Sequence, residues 1–226
     1  MVMASPVARR VWYFITMKRF APWIVAIIAV AAFLASFSEL QRMRKRFGEV
    51  TQHAHHDHNE VREFVITSQL AQAGDGAVVI VSDSIGEAAQ WPSEVCGHRV
   101  INAGIGGATA ASYRLSIANR IPPFKASVVV IALGTNDALS KSAAFRENYE
   151  KLVDVLKTYS GSVLIAGLPS VVESFNQQIR SIAEWKELPF VQQTKAITID
   201  GVHLSPEGYQ PWMKAILDGI KRTLHC

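Results

Sequence analysis

The sequence predicts an α/β protein: a three-layer α/β/α sandwich around a five-stranded parallel sheet, preceded by one transmembrane helix. Three observations lead there. Short β-branched runs recur between residues 77 and 200. Stretches of helical periodicity separate them, and strand–helix alternation packs a parallel sheet between two helical layers. Upstream, residues 20–38 carry no charged side chain, a length of ~28 Å as a helix and about one bilayer hydrocarbon core.

The uncharged run reads FAPWIVAIIAVAAFLASFS, with Trp23 near its start where an interfacial ring belongs. A helix apolar on every side must lie in lipid or in a protein interior, and no neighbouring segment looks like a protein partner. The expected division is a short basic segment at 1–19, a membrane anchor at 20–38, a juxtamembrane linker at 39–76 and a folded domain at 77–226. A cleavable signal peptide is the alternative, with Ser36 and Ser38 as small residues at its end. The length of the run and the basic residues directly after it favour a retained anchor. Arg9, Arg10, Lys18 and Arg19 precede the run, and Arg42, Arg44, Lys45 and Arg46 follow it. The positive-inside rule therefore ties and assigns no orientation.

Charge is distributed unevenly. Residues 1–46 hold eight Lys/Arg against the single acid Glu39, a balance of +7. Residues 47–226 hold fifteen Lys/Arg against eighteen Asp/Glu, a balance of −3. The folded domain thus lacks the basic surplus that a nucleic-acid footprint needs, and no nucleic-acid partner is expected. The two cysteines, Cys96 and Cys226, would pair only in an oxidising compartment; their spacing leaves open whether they do.

Within the linker, Glu60 to Ala73 predicts a short helix with Asn59 as N-cap and Val61, Phe64, Val65 and Leu70 near one face. Gly74-Asp75-Gly76 ends it. Before it lies His53-Ala54-His55-His56-Asp57-His58, which matches the HxHxDH spacing of the metallo-β-lactamase superfamily. A basic, polar stretch precedes the match where that motif needs a strand, and the only later histidines are His98, His203 and His225. The segment therefore reads as a solvated stalk, and no metal ligands are assigned.

The predicted strands are 77–82 (AVVIVS), 99–104 (RVINAG), 127–134 (SVVVIALG), 162–168 (SVLIAGL) and 195–200 (KAITID). Helices are predicted at about 108–119, 142–159, 172–187 and 206–222. The last is marked by Ser205 as N-cap, Pro206 at the first helical position and Glu207 behind it. In such sheets ligands bind beyond the carboxyl ends of the strands, and chemically capable residues stand at those ends. The first strand is followed by Ser82-Asp83-Ser84-Ile85-Gly86-Glu87. The second ends in Asn102-Ala103-Gly104-Ile105-Gly106-Gly107-Ala108-Thr109, the third in Gly134-Thr135-Asn136-Asp137, and the fifth in Asp200-Gly201-Val202-His203-Leu204. A hydroxyl, a glycine-rich turn, an amide and an Asp/His pair are the parts of acyl transfer through serine. Singly, each has an ordinary structural role as a cap or turn residue; their joint occurrence on one sheet edge, in this order, argues for a site.

These four segments resemble the four signature blocks of the SGNH/GDSL hydrolase superfamily over about residues 77–210. GTND and DGVHLSPEGY are close to the family pattern and NAGIGGAT is a fair match. The first block departs from it, with Ser82 where the family has glycine before Asp83-Ser84. The resemblance implies a flavodoxin-like fold and a serine esterase. Ser84 is then the nucleophile, His203 the base and Asp200 its orienting carboxylate. The oxyanion donors are the backbone N–H groups of Ser84 and Gly107 and the side-chain amide of Asn136. No cofactor is implied; the Gly104–Gly107 turn lacks the third glycine of a dinucleotide fingerprint. Family habit places the catalytic domain on the extracytoplasmic side. No long insertion separates the blocks, so an open site is expected, with Ile85, Trp91 and Ala108 as candidate lining residues. The expected substrate is a small acyl ester such as an acetylated envelope glycan. Lysophospholipase- or thioesterase-like hydrolysis, O-acyl transfer and a non-catalytic binding role are the alternatives.

Overall fold

The computed structural model describes residues 6–169, 173–193 and 195–226, and among these the side chains of 6–21 and 50–57 lie outside what is described. The chain divides into two compact units, Met1–His56 and Asp57–Cys226.

The first helix, α1, spans Pro6–Ala73. Within it Pro22–Glu49 is long and apolar enough to cross a membrane, and none of its apolar window is buried in protein. The helix does not start at Asn59 as expected. The residues before Asn59 are mostly good helix formers, among them Glu, Gln, Lys and Arg, and ion pairs one turn apart join Arg42 to Glu39 and Lys45 to Glu49.

In the second unit the buried face of α1 keeps Leu70 of the expected set but not Val61 or Phe64. Ile66 and Leu70 enter the core, and Glu63 is buried beside them, whereas Val61 and Phe64 face outward. Glu63 lies inside because Arg120 reaches its carboxylate at 3.1 Å.

After α1 come β1 (Ala77–Ser82), α2 (Ser84–Glu87), β2 (Glu94–Val95), β3 (His98–Gly104), α3 (Ala110–Asn119), β4 (Ala126–Ala132), α4 (Thr135–Leu139), α5 (Phe145–Lys157), β5 (Val163–Ala166), α6 (Glu173–Trp185), β6 (Phe190–Val191) and α7 (Pro206–Leu224). The sheet has six strands in the order β2-β3-β1-β4-β5-β6. All pairings are parallel except the short β2–β3 hairpin at its edge.

The five-strand expectation is corrected at two places. β2 is added at the edge, and the last parallel strand is Phe190–Val191, which pairs with Ile165 and Ala166 of β5. Residues 195–200 form no sheet strand; their only pairing is the antiparallel bridge Thr198–Leu204. Ile197 and Ile199 are largely exposed, whereas an inner parallel strand would bury both its faces.

β1 is buried along its whole length. Its alternate residues serve two cores, as the two-residue period of a strand requires. Val79 and Val81 join Ile66, Tyr113, Leu152 and Ile179 on one face. Val78 and Ile80 join Trp212, Ile216 and Ile220 of α7 on the other. The chain leaves β1 for β3 on one side and then returns to β4 on the other. The sheet therefore reverses its winding direction at β1, the position where open α/β sheets form a crevice beyond their strand ends.

Candidate active site

Register brings three of the predicted segments together. Ser82 pairs with Gly104 on one side and Ala132 on the other, so β1, β3 and β4 end level. Ser84 follows β1 at once and is the first residue of α2, whose N-cap is Asp83. Asp83 is fully buried. Its carboxylate accepts the Ile85 N–H at 3.1 Å and the Thr135 N–H at 3.2 Å. Burial pushes the Asp83 carboxyl above its ordinary range, while hydrogen bonds from Thr135 and the Ile85 N–H pull it back. Asp83 thus ties the serine turn to the GTND segment.

Ser84 Oγ lies 3.0 Å from His203 Nε2, and His203 Nδ1 lies 2.6 Å from Asp200 Oδ2. With Nδ1 protonated toward the carboxylate, Nε2 is left as the acceptor for the serine hydroxyl proton. The other oxygen of Asp200 accepts the backbone N–H groups of Val202 at 2.9 Å and His203 at 2.7 Å. The bond to the His203 ring, followed by these two backbone bonds, pulls the Asp200 carboxyl down to about 2. The His203 and Asp200 side chains are 43% and 50% exposed, so solvent reaches the pair and the site is open. The loop that carries them is closed by bonds from Ile199 N to His203 O and from Ser205 N to Ile197 O, each 2.9 Å. Ser205 then caps α7, accepting the Gly208 N–H.

The proposed oxyanion donors come from adjoining turns. Gly107 has φ +74°, a left-handed conformation that favours glycine. Its N–H makes no bond within the described residues. Ser84, as the first residue of α2, has an N–H without an intrahelical acceptor. Asn136 donates one amide hydrogen to Ala108 O at 3.0 Å, which places its side chain beside the Gly107 turn and leaves its second amide hydrogen free. Asp137 is not a reacting group: it is buried and accepts the Ala110 N–H at 2.9 Å, steadying the start of α3.

Ile85 and Ala108 do not line the site, being 2% and 3% exposed. Trp91 is half-buried and donates its indole N–H to Gly86 O at 3.1 Å. Tyr209 donates to Ile85 O at 3.0 Å. These two aromatics clamp the serine helix from outside. The aromatic Tyr209 just behind the DGVHLSPEG string was the signal available in the sequence. The departure at Ser82 is also accommodated. Its side chain occupies space left by two glycines, since a Cβ at Gly86 or Gly104 would collide with its hydroxyl. That hydroxyl is buried without a partner.

A groove of ≈ 730 Å³ runs along α7, lined by Ala88, Leu204, Tyr209, Met213 and Leu217 among others. It abuts the Asp200–His203 loop through Leu204, but Ser84 and His203 are not in its wall. Among the described residues no group of three or more His, Cys, Asp or Glu is placed to hold a metal. The side chains of His53, His55, His56 and Asp57 lie outside the described residues. His58 is described, and its Nε2 is 3.1 Å from Glu87 Oε2. Cys96, beside the β2–β3 hairpin, is bonded to Cys226 at the end of the chain.

Comparison with known proteins bears on the family and the fold. Residues 67–210 match the GDSL-like Lipase/Acylhydrolase family. No protein of curated function matches by sequence. Among solved structures, a protein from Streptococcus pneumonia provisionally described as a platelet activating factor superposes with TM-score 0.64 at 17% identity, covering 76% of this chain and 97% of its own. Axe2, an acetylxylan esterase from Geobacillus stearothermophilus, superposes with TM-score 0.53 at 18% identity, covering 66% and 95%. The acetyl xylan esterase AlAXEase gives TM-score 0.53 at 17% identity, covering 64% and 100%. At these identities the likeness is one of fold.

Proposed function

The chain belongs to the GDSL-like lipase/acylhydrolase family and is a serine carboxylic ester hydrolase, and we propose that it acts through Ser84, His203 and Asp200 on small acyl esters of a glycan. The reading is carried by the continuous relay from Ser84 Oγ through His203 to Asp200, at 3.0 and 2.6 Å.

Ser84 Oγ attacks the ester carbonyl as His203 Nε2 takes its proton. Asp200 holds the ring in the tautomer that leaves Nε2 free and stabilises the imidazolium. The N–H groups of Ser84 and Gly107 and the amide of Asn136 receive the oxyanion. Collapse expels the alcohol with the proton from His203 and leaves an acyl group on Ser84. Water, deprotonated by the same ring, then releases the carboxylic acid.

Three observations support a short acyl group on a large alcohol. The triad is open to solvent, the groove does not enclose Ser84, and the fold is shared with two acetylxylan esterases. The apolar helix of the N-terminal unit supports a membrane tether. The Cys96–Cys226 bond supports an oxidising, extracytoplasmic side for the domain, which the flanking charges leave undecided.

A fluorophosphonate probe tests the nucleophile: labelling is expected in the wild type and absent in Ser84→Ala. Undiminished labelling or turnover in that variant would remove Ser84 from the mechanism. Release of acetate from acetylated glycans, compared with p-nitrophenyl esters of increasing acyl length, tests the substrate. Faster turnover of long acyl chains would favour lipid hydrolysis instead.

A further inference from the structure

The last turns of α1 reach the catalytic end of the sheet. Glu87 closes α2, the four-residue helix that Ser84 opens. Its Oε2 accepts the Gly106 N–H at 2.5 Å and lies 3.1 Å from His58 Nε2. Its Oε1 is 3.4 Å from Arg62 Nε. Arg62 in turn donates to Gly104 O at 2.9 Å and Asn102 O at 3.1 Å. Asn102 closes the circuit, donating to Glu87 O at 2.9 Å and accepting the Gly104 N–H at 3.0 Å.

The fit depends on two glycines. A Cβ at Gly104 would strike the Glu87 backbone, and one at Gly106 would lie 3.1 Å from both Glu87 Oε2 and His58 Nε2. The Arg62 and Glu87 side chains are 17% and 19% exposed, so water screens their attraction less than that of the exposed pairs on α5 and α7.

We propose that Arg62 and Glu87 are positioning residues that lock the Gly104–Gly107 turn onto the serine helix, so that the last turns of the N-terminal helix set the geometry of the oxyanion site. This rests on the reading of Ser84 and Gly107 given above. Glu87 holds the N–H next to that of Gly107, and a displacement of about 1 Å in such a donor costs up to ~100-fold in rate. Arg62 has a second task. A bare carboxylate bonded to Gly106, the residue before the proposed donor Gly107, would oppose the charge that develops there, and the guanidinium offsets it.

The two roles give an ordered signature in the full-length protein held in detergent. Arg62→Gln leaves Glu87 without its guanidinium, with the His58 ring and the Gly106 N–H as its remaining neighbours, and lowers kcat by roughly 30–100-fold. Glu87→Gln keeps an oxygen that can accept from Gly106 and lowers kcat by at most about tenfold. The double variant is no worse than Arg62→Gln alone, because the opposing charge is gone.

The discriminating readout is affinity for a boronic acid, which becomes a tetrahedral anion on Ser84. It falls in step with kcat, while KM stays within about twofold of wild type, since the loss lies in the transition state. Arg62→Lys keeps the charge but cannot span both carbonyls; it gives an intermediate loss and covers the case in which Arg62→Gln does not fold. Unchanged kcat and boronate affinity in the folded variants would overturn the proposal. So would a loss confined to KM, a kcat loss without a boronate loss, or additive losses in the double variant. Wild-type protein that neither hydrolyses esters nor binds the boronate would instead refute the hydrolase mechanism itself.

Discussion

Replacing Asn136 by alanine separates chemistry from architecture at the oxyanion site. A primary amide has two N–H donors. One of Asn136's is engaged by Ala108 O at 3.0 Å, and the other is free for substrate. Loss of an oxyanion donor typically raises the barrier by about 3–4 kcal/mol, so kcat for p-nitrophenyl acetate should fall by roughly 100- to 1,000-fold. The structural cost is separate and smaller. The bond to Ala108 is a single half-buried contact worth about 1 kcal/mol, or roughly 2–4 °C in melting temperature for a domain of this size. The assay is therefore kcat and KM beside a thermal melt on the same sample. The expected outcome is a large fall in kcat, little change in KM and a small shift in Tm. Turnover within about threefold of wild type in a protein that melts normally would refute the oxyanion role, because a donor lost from a working oxyanion hole costs more than that. Asn136→Asp keeps the shape but sets a carboxylate against the developing charge, and should be at least as inactive.

Three further outcomes follow from the geometry. Ser82→Ala removes a buried hydroxyl that has no partner, so it should retain activity and gain up to about 1 kcal/mol in denaturant-melt stability; a loss of more than that would mean the hydroxyl is satisfied in solution. The Cys96–Cys226 bond closes a separation of 130 residues, for which chain entropy gives an upper value of about 5 kcal/mol; thermal melts of Cys96→Ala/Cys226→Ala should show a clear fall in Tm, and an unchanged melt would show the bond absent from the purified protein. Asp200 titrates near 2, below its ordinary 3.8, so its folded-state contribution is complete above the ordinary value and is lost as pH falls toward 2. Asp200→Asn should lower kcat at every pH while altering the ring tautomer seen by NMR; an unaltered tautomer would contradict the role given to Asp200.

Local pattern was enough to read much of the molecule. The first four parallel strands were legible as short apolar runs rich in Val and Ile: VVIV in β1, VI in β3, VVVI in β4 and VLI in β5. α7 was legible from Ser205 and Pro206, which act within one turn of themselves. Asp200 and His203 stand three residues apart, so chain geometry alone keeps the pair within reach. What the sequence by itself determined is thus the set of candidate site residues, their order and, for those after β1, β3 and β4, their placement at strand ends.

Tertiary structure decided whatever depends on contacts between distant residues. β6 has only two residues, too few to show a period, and it is a strand because β5 offers it an edge. The buried face of α1 follows from Glu63 meeting Arg120, 57 residues away. The pairing of Cys96 with Cys226 spans 130 residues and has no local trace. Ser82, the one irregular residue in the first block, fits because Gly86 and Gly104 are both absent of side chains where it packs. The link from Arg62 through Glu87 to the Gly106 turn joins three segments that no short window contains. Propensity and periodicity are properties of neighbours along the chain; which groups desolvate together is a property of the fold, and the geometry around Ser84 rests on both.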